Sequence, residues 1–300
     1  MGSAPPGIEN AMSSPGPLEQ LLPVLVHVQA HLDGDLSLAA LARRAGLSPY
    51  HFHRLFRTVV GETVKQYSQR LRLERAASRL VLHDGSILDV ALDCGFQNHE
   101  TFSREFKRRF GVSPRDYRTR ARQLLQASKE ARPALDETHD GYELSSTKLH
   151  RLGRLDVAFI RHVGPYEAVS DRLWHALEAW ADRRGLEGER IFLGIAQDAP
   201  SITPPEKLRF DAGLVVAAPF VAEAGIGHQV LAPGWFAVTT HVGPYRTLAE
   251  AYGVIVGRVL AMDGCRLLGV PSLEIYHTTR VDQHHDLNHT EIYLPVEKRP

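Results

Sequence analysis

The strongest constraint on how this chain folds is a pattern that occurs twice, 50 residues apart, between Leu36 and Tyr117. The first copy runs from Leu38 through Ala45-Gly46-Leu47-Ser48-Pro49 to Phe52 and Phe56. The second runs from Ile87 through Cys94-Gly95-Phe96 to Phe102 and Phe106. Phe52, Phe56, Gly61 and Tyr67 recur as Phe102, Phe106, Gly111 and Tyr117. Each copy joins an apolar-periodic helix, a turn opened by glycine, and a second helix with a polar and basic outer side. That unit is a helix-turn-helix, and its repetition predicts two of them.

Around the repeat the chain reads as helix. Leu21, Leu22, Leu25, Val28 and Leu32 lie at helical spacing within 18–33. In the first unit Leu38, Leu41, Ala42 and Ala45 form the inward stripe, Gly46 suits a left-handed helix end, and Ser48-Pro49 supplies an N-cap followed by Pro at the first helical position. Phe52, Leu55 and Phe56 then point inward, leaving Tyr50, His51, His53, Arg54 and Arg57 outward. Val64–Leu82 predicts one long helix, basic through Arg70, Arg72, Arg75 and Arg79. Ser86 with Asp89 predicts a capping box before the second unit. There His99, Glu100, Thr101, Ser103, Arg104, Lys107 and Arg108 face outward. Arg115, Arg118, Arg120 and Arg122 follow as a basic tail, read either as solvated helix surface or as phosphate ligands.

Charge divides along the same line. Residues 18–122 hold 17 Lys and Arg against 11 Asp and Glu, while 123–300 hold 18 against 23. A basic part joined to an acidic part implies that only the first meets a polyanion. No apolar run approaches the roughly 20 residues that span a bilayer, so no membrane partner is expected and the cytoplasm is the expected location. Cys94 and Cys265, one in each part, fit a reducing compartment. Residues 1–17, rich in Gly, Pro and Ser, read as a disordered lead-in, and 123–140 as a linker containing Pro133.

Over 18–122 the chain resembles the DNA-binding domain of AraC/XylS-type transcription regulators. The motif that carries the match is Gly95-Phe96, then Phe102-Ser103-Arg104-Glu105-Phe106-Lys107-Arg108, then Gly111-Val112-Ser113-Pro114 and Tyr117-Arg118. The resemblance implies an all-α domain of seven helices, with two recognition helices held in line by a long connecting helix. It implies that double-stranded DNA is a partner, RNA polymerase a further one. Tyr50, His53 and Arg54 would face bases in one major groove, and His99, Glu100, Thr101, Ser103 and Arg104 in the next. His53 and Glu100 stand where Gln is frequent in the family, and Glu100 could accept from a cytosine amino group.

Residues 141–300 contain a second duplication. Val157–Tyr166 and Phe236–Tyr245 share His-Val-Gly-Pro-Tyr at an offset of 79, which Gly185 and Gly264 keep. Each copy reads as strand, Gly-Pro turn and helix, followed by two strands: Ile191–Gln197 and Phe210–Ala217 in the first, Leu273–Thr278 and Thr290–Val296 in the second. The expected fold is α+β, tandem β-α-β-β repeats forming a mixed sheet with helices on one face. This part resembles the GyrI-like small-molecule-binding domain, through the repeated motif, Phe210-Asp211-Ala212-Gly213-Leu214-Val215 and Leu273-Glu274-Ile275-Tyr276. The resemblance implies a cationic or polar effector, as in multidrug sensing, with Glu274 as its acidic contact and Tyr276 on the same strand face.

A carboxylate among aromatic rings suits a lipophilic cation. Glu274 could equally be a solvated edge-strand carboxylate. Tyr166, Trp174, Tyr245 and Trp235 are candidate effector contacts or packing residues. His162 and His241 recur with the turn and read as structural. His277, His284, His285 and His289, near Asp282 and Asp286, match no zinc spacing, so neither metal nor cofactor is expected. No Gly-x-Ser-x-Gly elbow, Walker loop or paired-carboxylate pattern supports catalysis. The expectation is a non-enzymatic regulator that binds DNA and an effector. Two alternatives are an enzyme or drug-sequestering protein, with Glu274 as general base beside Tyr276, and a gyrase-inhibitor-like interaction protein.

Overall fold

The computed structural model describes residues 16–130, 141–269, 271–277 and 288–298. Seven helices come first: α1 (Pro17–Ala30), α2 (Leu38–Arg44), α3 (Pro49–Val60), α4 (Val64–Leu82), α5 (Ile87–Asp93), α6 (His99–Phe110) and α7 (Pro114–Glu130). Their ends follow from local chemistry. The Ser48 hydroxyl accepts from the His51 amide at 3.3 Å, and the Asn98 carbonyl oxygen from the Thr101 amide at 2.8 Å, each satisfying an orphan donor of a first helical turn. Gly61 and Gly111 close α3 and α6 with φ of 75° and 77°, a conformation that disfavours any residue with a Cβ. The Ser86–Asp89 capping box forms at the start of α5, and Thr63 with Gln66 makes another at the start of α4.

Most of the expected lead-in lies outside the described residues, and α1 begins at Pro17. The segment read as a linker is corrected in part: α7 continues through Gln123 to Glu130, because that stretch consists of good helix formers and its first breaker is Pro133. Residues 131–140 lie outside the described set.

The long α4 separates two small cores. One face gives Tyr67 and Leu71 to a core with α1, Leu41, Phe52 and Phe56; the other gives Leu73, Ala76, Ala77 and Leu80 to a core with Val90, Phe102 and Phe106. Phe52, Phe56, Phe102 and Phe106 are fully buried, each worth roughly 1.5–3 kcal/mol of transfer free energy.

The second part is one sheet. Its repeats are β3 (Leu155–Val163), α8 (Arg172–Arg183), β4 (Phe192–Ala196), β5 (Arg209–Val216), and β7 (Gly234–Gly243), α9 (Leu248–Leu260), β9 (Ser272–Tyr276), β10 (Asn288–Lys298). Four short strands flank them: β1 (Glu143–Leu144), β2 (Lys148–Leu152), β6 (Gly227–Leu231) and β8 (Cys265–Leu267). The strand order is β1-β7-β10-β9-β4-β5-β3-β6, with β2 on β7 and β8 on β10. The expected mixed sheet is corrected, since every described pairing is antiparallel. The helix crossover does return β4 in the direction of β3, but β5 then folds back between them, and β10 does the same between β7 and β9.

Both helices cover one face of the sheet. Trp174, Leu177 and Trp180 of α8 pack on Ala158, Phe210, Ala212 and Tyr276, while Ala251, Ile255 and Val259 of α9 pack on Ala237, Ile292 and Leu294. The opposite face is covered by the helical part. Leu22 of α1, only 1% exposed, packs with Val157, Phe159, Leu193 and Ile195. α1 is therefore apolar on two sides. Among the described residues no helix is long and apolar enough to cross a membrane.

Candidate DNA interface and effector site

The recognition helices α3 and α6 have the same pattern of exposure, position for position, over 52–60 and 102–110. Tyr50, His51, Arg54, His99, Glu100, Arg104 and Lys107 are exposed, and His53, Thr101 and Ser103 are half-buried. Tyr50 is 74% exposed, unusual for a tyrosine, and the Arg54 guanidinium lies 5.8 Å from its ring centre. The Ser103 hydroxyl and His99 Nε2 are 3.3 Å apart on the outer side of α6. Between the two units runs an open groove of about 770 Å³ whose lining includes His53, Thr63, Lys65, Phe96 and Gln97. The first recognition helix and the turn before the second therefore border one trough.

Many of the arginines that make this part basic are committed internally. On α4, Arg70 pairs with Glu62 and Glu74, Arg72 donates to the carbonyls of Leu32 and Gly34, Arg75 to that of Gln29, and Arg79 pairs with Asp93. Of the basic tail, Arg118 donates to the Leu80 carbonyl at 3.2 Å and Arg122 to that of His83 at 2.7 Å. These two close the last turn of α4, where carbonyls lack helical partners. Arg115 and Arg120 stay exposed.

In the sheet, Glu274 and Tyr276 do share a face, the one under the helices. The edge-strand alternative for Glu274 fails, because β9 lies between β10 and β4 and Glu274 is 7% exposed. Tyr276 Oη donates to Glu274 Oε2 at 2.6 Å, and Tyr252 Oη of α9 to Oε1 at 3.0 Å. Trp174 and Tyr245 stand edge-on to the Tyr276 ring, 5.1 and 5.8 Å between centres, and Trp174 and Tyr166 both meet Phe210. Burial, reinforced by the Glu274 charge, pushes the Tyr252 hydroxyl well above its ordinary value and keeps it a donor. Burial is also the main cause that raises Tyr166. A close approach makes this packing possible: a Cβ at Gly194 would lie 2.4 Å from the Phe210 ring and 2.5 Å from Tyr276 Oη.

The structure thus brings together Glu274, Tyr276, Trp174, Tyr245 and Tyr166. It does not bring Trp235, which sits at the start of β7 among the α9 core residues, with Lys298 Nζ 4.9 Å from its ring centre. Odd and even positions along a strand are legible in sequence, but its distance from a site is not. Tyr252 was missed, though Leu248, Ala251, Tyr252, Ile255 and Val259 mark the inner face of α9 by their spacing.

The paired histidines are structural in geometry. His162 Nε2 lies 3.1 Å from the Pro165 carbonyl, and His241 Nε2 lies 2.8 Å from Thr247 Oγ1, which in turn bonds the Pro244 carbonyl. Of the other histidine stretch, His284 and His285 fall outside the described residues, and His277 Nε2 lies 3.1 Å from Glu291. No His, Cys, Asp and Glu group suited to a metal occurs among the described residues. Cys94 and Cys265 are free and buried.

Comparison with known proteins supplies the family. A helix-turn-helix domain model matches residues 41–120, and a GyrI-like small molecule binding domain model matches 149–297. Regulatory protein SoxS of Salmonella typhimurium is 36% identical over 103 residues, covering 34% of this chain and 96% of that protein. The right origin-binding protein of Escherichia coli K12 is 39% identical over 95 residues, 32% of this chain and 33% of that protein. The cryo-EM structure of an EcmrR–DNA complex in EcmrR-RPo covers 87% of this chain and 99% of that one, with 15% identity and a TM-score of 0.46. The chain belongs to the AraC/XylS-type transcription regulators, a DNA-binding protein carrying a GyrI-like small-molecule-binding domain on the C-terminal side of its two helix-turn-helix units.

Proposed function

We propose that α3 and α6 read bases in successive major grooves and that an aromatic or lipophilic cation binds at Glu274 and changes the affinity for DNA. The bases would be read by Tyr50, His53 and Arg54 in one groove, and by His99, Glu100, Thr101, Ser103 and Arg104 in the next, with His51 and Lys107 as further DNA contacts beside them. Two equivalent recognition surfaces on one rigid connecting helix let a single chain reach a whole site. Phosphate affinity then falls to exposed cations such as Lys65, Lys107, Arg115 and Arg120, since the α4 arginines already have partners within the chain. Arg104→Ala should weaken binding by about 1–3 kcal/mol and relax base preference at one position; a loss equal on all sequences would make Arg104 a phosphate contact.

The single observation that carries the effector assignment is the Glu274 carboxylate, buried under rings and held by two tyrosine hydroxyls. Neutral donors solvate a carboxylate without cancelling its charge, and ring faces add their own attraction for a cation. Tyr276 and Trp174 are buried as well, so a ligand reaches the carboxylate by parting the rings. The role assigned to Glu274 is electrostatic and non-catalytic, in a protein of the cytoplasm, where its DNA and RNA polymerase would be met.

Thermal denaturation of the full chain with tetraphenylphosphonium and cationic dyes tests this reading. Wild type should gain stability with the logarithm of ligand concentration, and Glu274→Gln should lose the gain. An equal gain in Glu274→Gln would move the site elsewhere.

A further inference from the structure

The sheet lies between the Glu274 cluster on one face and the helical part on the other, and a chain of polar contacts passes around its end. Tyr166 meets Phe210 on the cluster side, and its hydroxyl donates to the Asp198 carbonyl at 2.7 Å and accepts from the Asp198 amide at 3.2 Å. The Asp198 carboxylate holds Arg209 from three sides: Nε at 2.8 Å, Nη2 at 2.5 Å and the Arg209 amide at 2.8 Å. Arg209 points to the opposite face of the sheet, where Nη1 donates to Tyr67 Oη of α4 at 3.2 Å. Lys207 makes a parallel contact to Glu62 at 3.0 Å.

Tyr67 is not an ordinary surface partner. Its ring stands edge-on to Phe56 of the first recognition helix, 5.6 Å between centres. One turn along α4, Arg70 pairs with Glu74, and Glu74 also faces Arg109, in the last turn of the second recognition helix, at 3.5 Å. A shift of Arg209 therefore reaches the packing of α3 through Tyr67, and α6 through the charges next to it. Asp198, Arg209 and Glu74 are all buried, and breaking a buried charge pair is costly enough to favour two discrete arrangements over a gradual slide.

We propose that Tyr166, Asp198, Arg209 and Tyr67 are the positioning residues through which the ligand site and the recognition helices influence one another. The ligand end of this route rests on the placement of the effector at Glu274; the DNA end does not. Linkage is reciprocal, so DNA binding must act back along the same contacts without any effector present.

Hydrogen exchange of the full chain, with and without a duplex selected in vitro from random sequence, tests the route. In wild type, DNA should change exchange at the Asp198 and Arg209 amides by roughly fivefold or more, the lower end of ordinary coupling. Tyr67→Phe keeps the ring against Phe56 and removes only the hydroxyl; it should still bind the duplex but lose that response. Tyr166→Phe cuts the other end: the response should persist at Arg209 and stop before Ser272–Tyr276. No response in wild type, or an undiminished one in Tyr67→Phe, overturns the proposal. Failure of every cation to bind would remove the Glu274 placement and leave this result intact.

Discussion

In the helical part, the two copies of the repeat keep the same components in the same places. Phe52 and Phe56 correspond to Phe102 and Phe106, all fully buried, and Tyr67 and Tyr117 stand edge-on to Phe56 and Phe106 at 5.6 and 5.3 Å. In the sheet, the duplication keeps only its frame. Strands β4 and β9 pair at its centre and read Phe-Leu-Gly-Ile-Ala and Ser-Leu-Glu-Ile-Tyr. The Leu and Ile that face the helical part are shared; the residues under the helices differ, Gly194 and Ala196 on one strand against Glu274 and Tyr276 on the other. On the proposed function, successive major grooves pose the same problem twice, and a duplicated unit answers it with little change. A carboxylate in a ring cluster is needed once, and a second copy would place two like charges side by side across the pair.

The largest expected effect bears on the equivalence of the helical copies. Phe56→Ala and Phe106→Ala should each destabilise the full chain by about 3–5 kcal/mol in urea denaturation, and by similar amounts. A loss half as large at one site would mean that one unit leans on its neighbours and the copies are not equivalent.

The next effect separates the two His-Val-Gly-Pro-Tyr turns. Burial holds the His241 imidazole down at about 4, against an ordinary value near 6.5. The folded state then binds that proton less readily than the unfolded state. Stability from this source is fully present above about pH 6.5 and declines as pH falls toward 4, by up to about 3 kcal/mol. Denaturation midpoints across that window should flatten in His241→Gln; an unchanged slope would assign the acid sensitivity to other groups.

A smaller effect concerns the asymmetric strand pair. Gly194→Ala should cost about 1–3 kcal/mol through overpacking against Phe210 and Tyr276, and weaken the stabilisation by tetraphenylphosphonium. A variant as stable and as responsive as wild type would show that the cluster is loosely packed.

What could be read in sequence depended on the range of the interaction. Local signals carried far: Ser48-Pro49, Gly61, Gly111 and the paired phenylalanines mark both units because caps, turns and helical period are set within a few residues. The long helix forms over the expected Val64–Leu82 for the same reason. Destinations of side chains did not carry. Arg70, Arg72, Arg75 and Arg79 read as a basic face, but their partners Glu62, Leu32, Gln29 and Asp93 are chosen by folding. Sequence alone points to a mixed sheet because a strand and its crossover return do run parallel, and only the full topology shows β5 and β10 between them. Leu22 reads as apolar on a helix, yet nothing in its spacing says that it packs on a sheet more than 130 residues away in sequence. Tyr252 follows the helical period of α9, but its bond to Glu274 joins residues on separate elements.

Whether occupancy at Glu274 alters DNA binding is read by fluorescence anisotropy of the full chain on its selected duplex, titrated with tetraphenylphosphonium. The Kd for DNA should change about fivefold or more in wild type and stay fixed in Glu274→Gln. A cation that binds wild type through Glu274 and leaves the Kd for DNA unchanged would contradict that coupling.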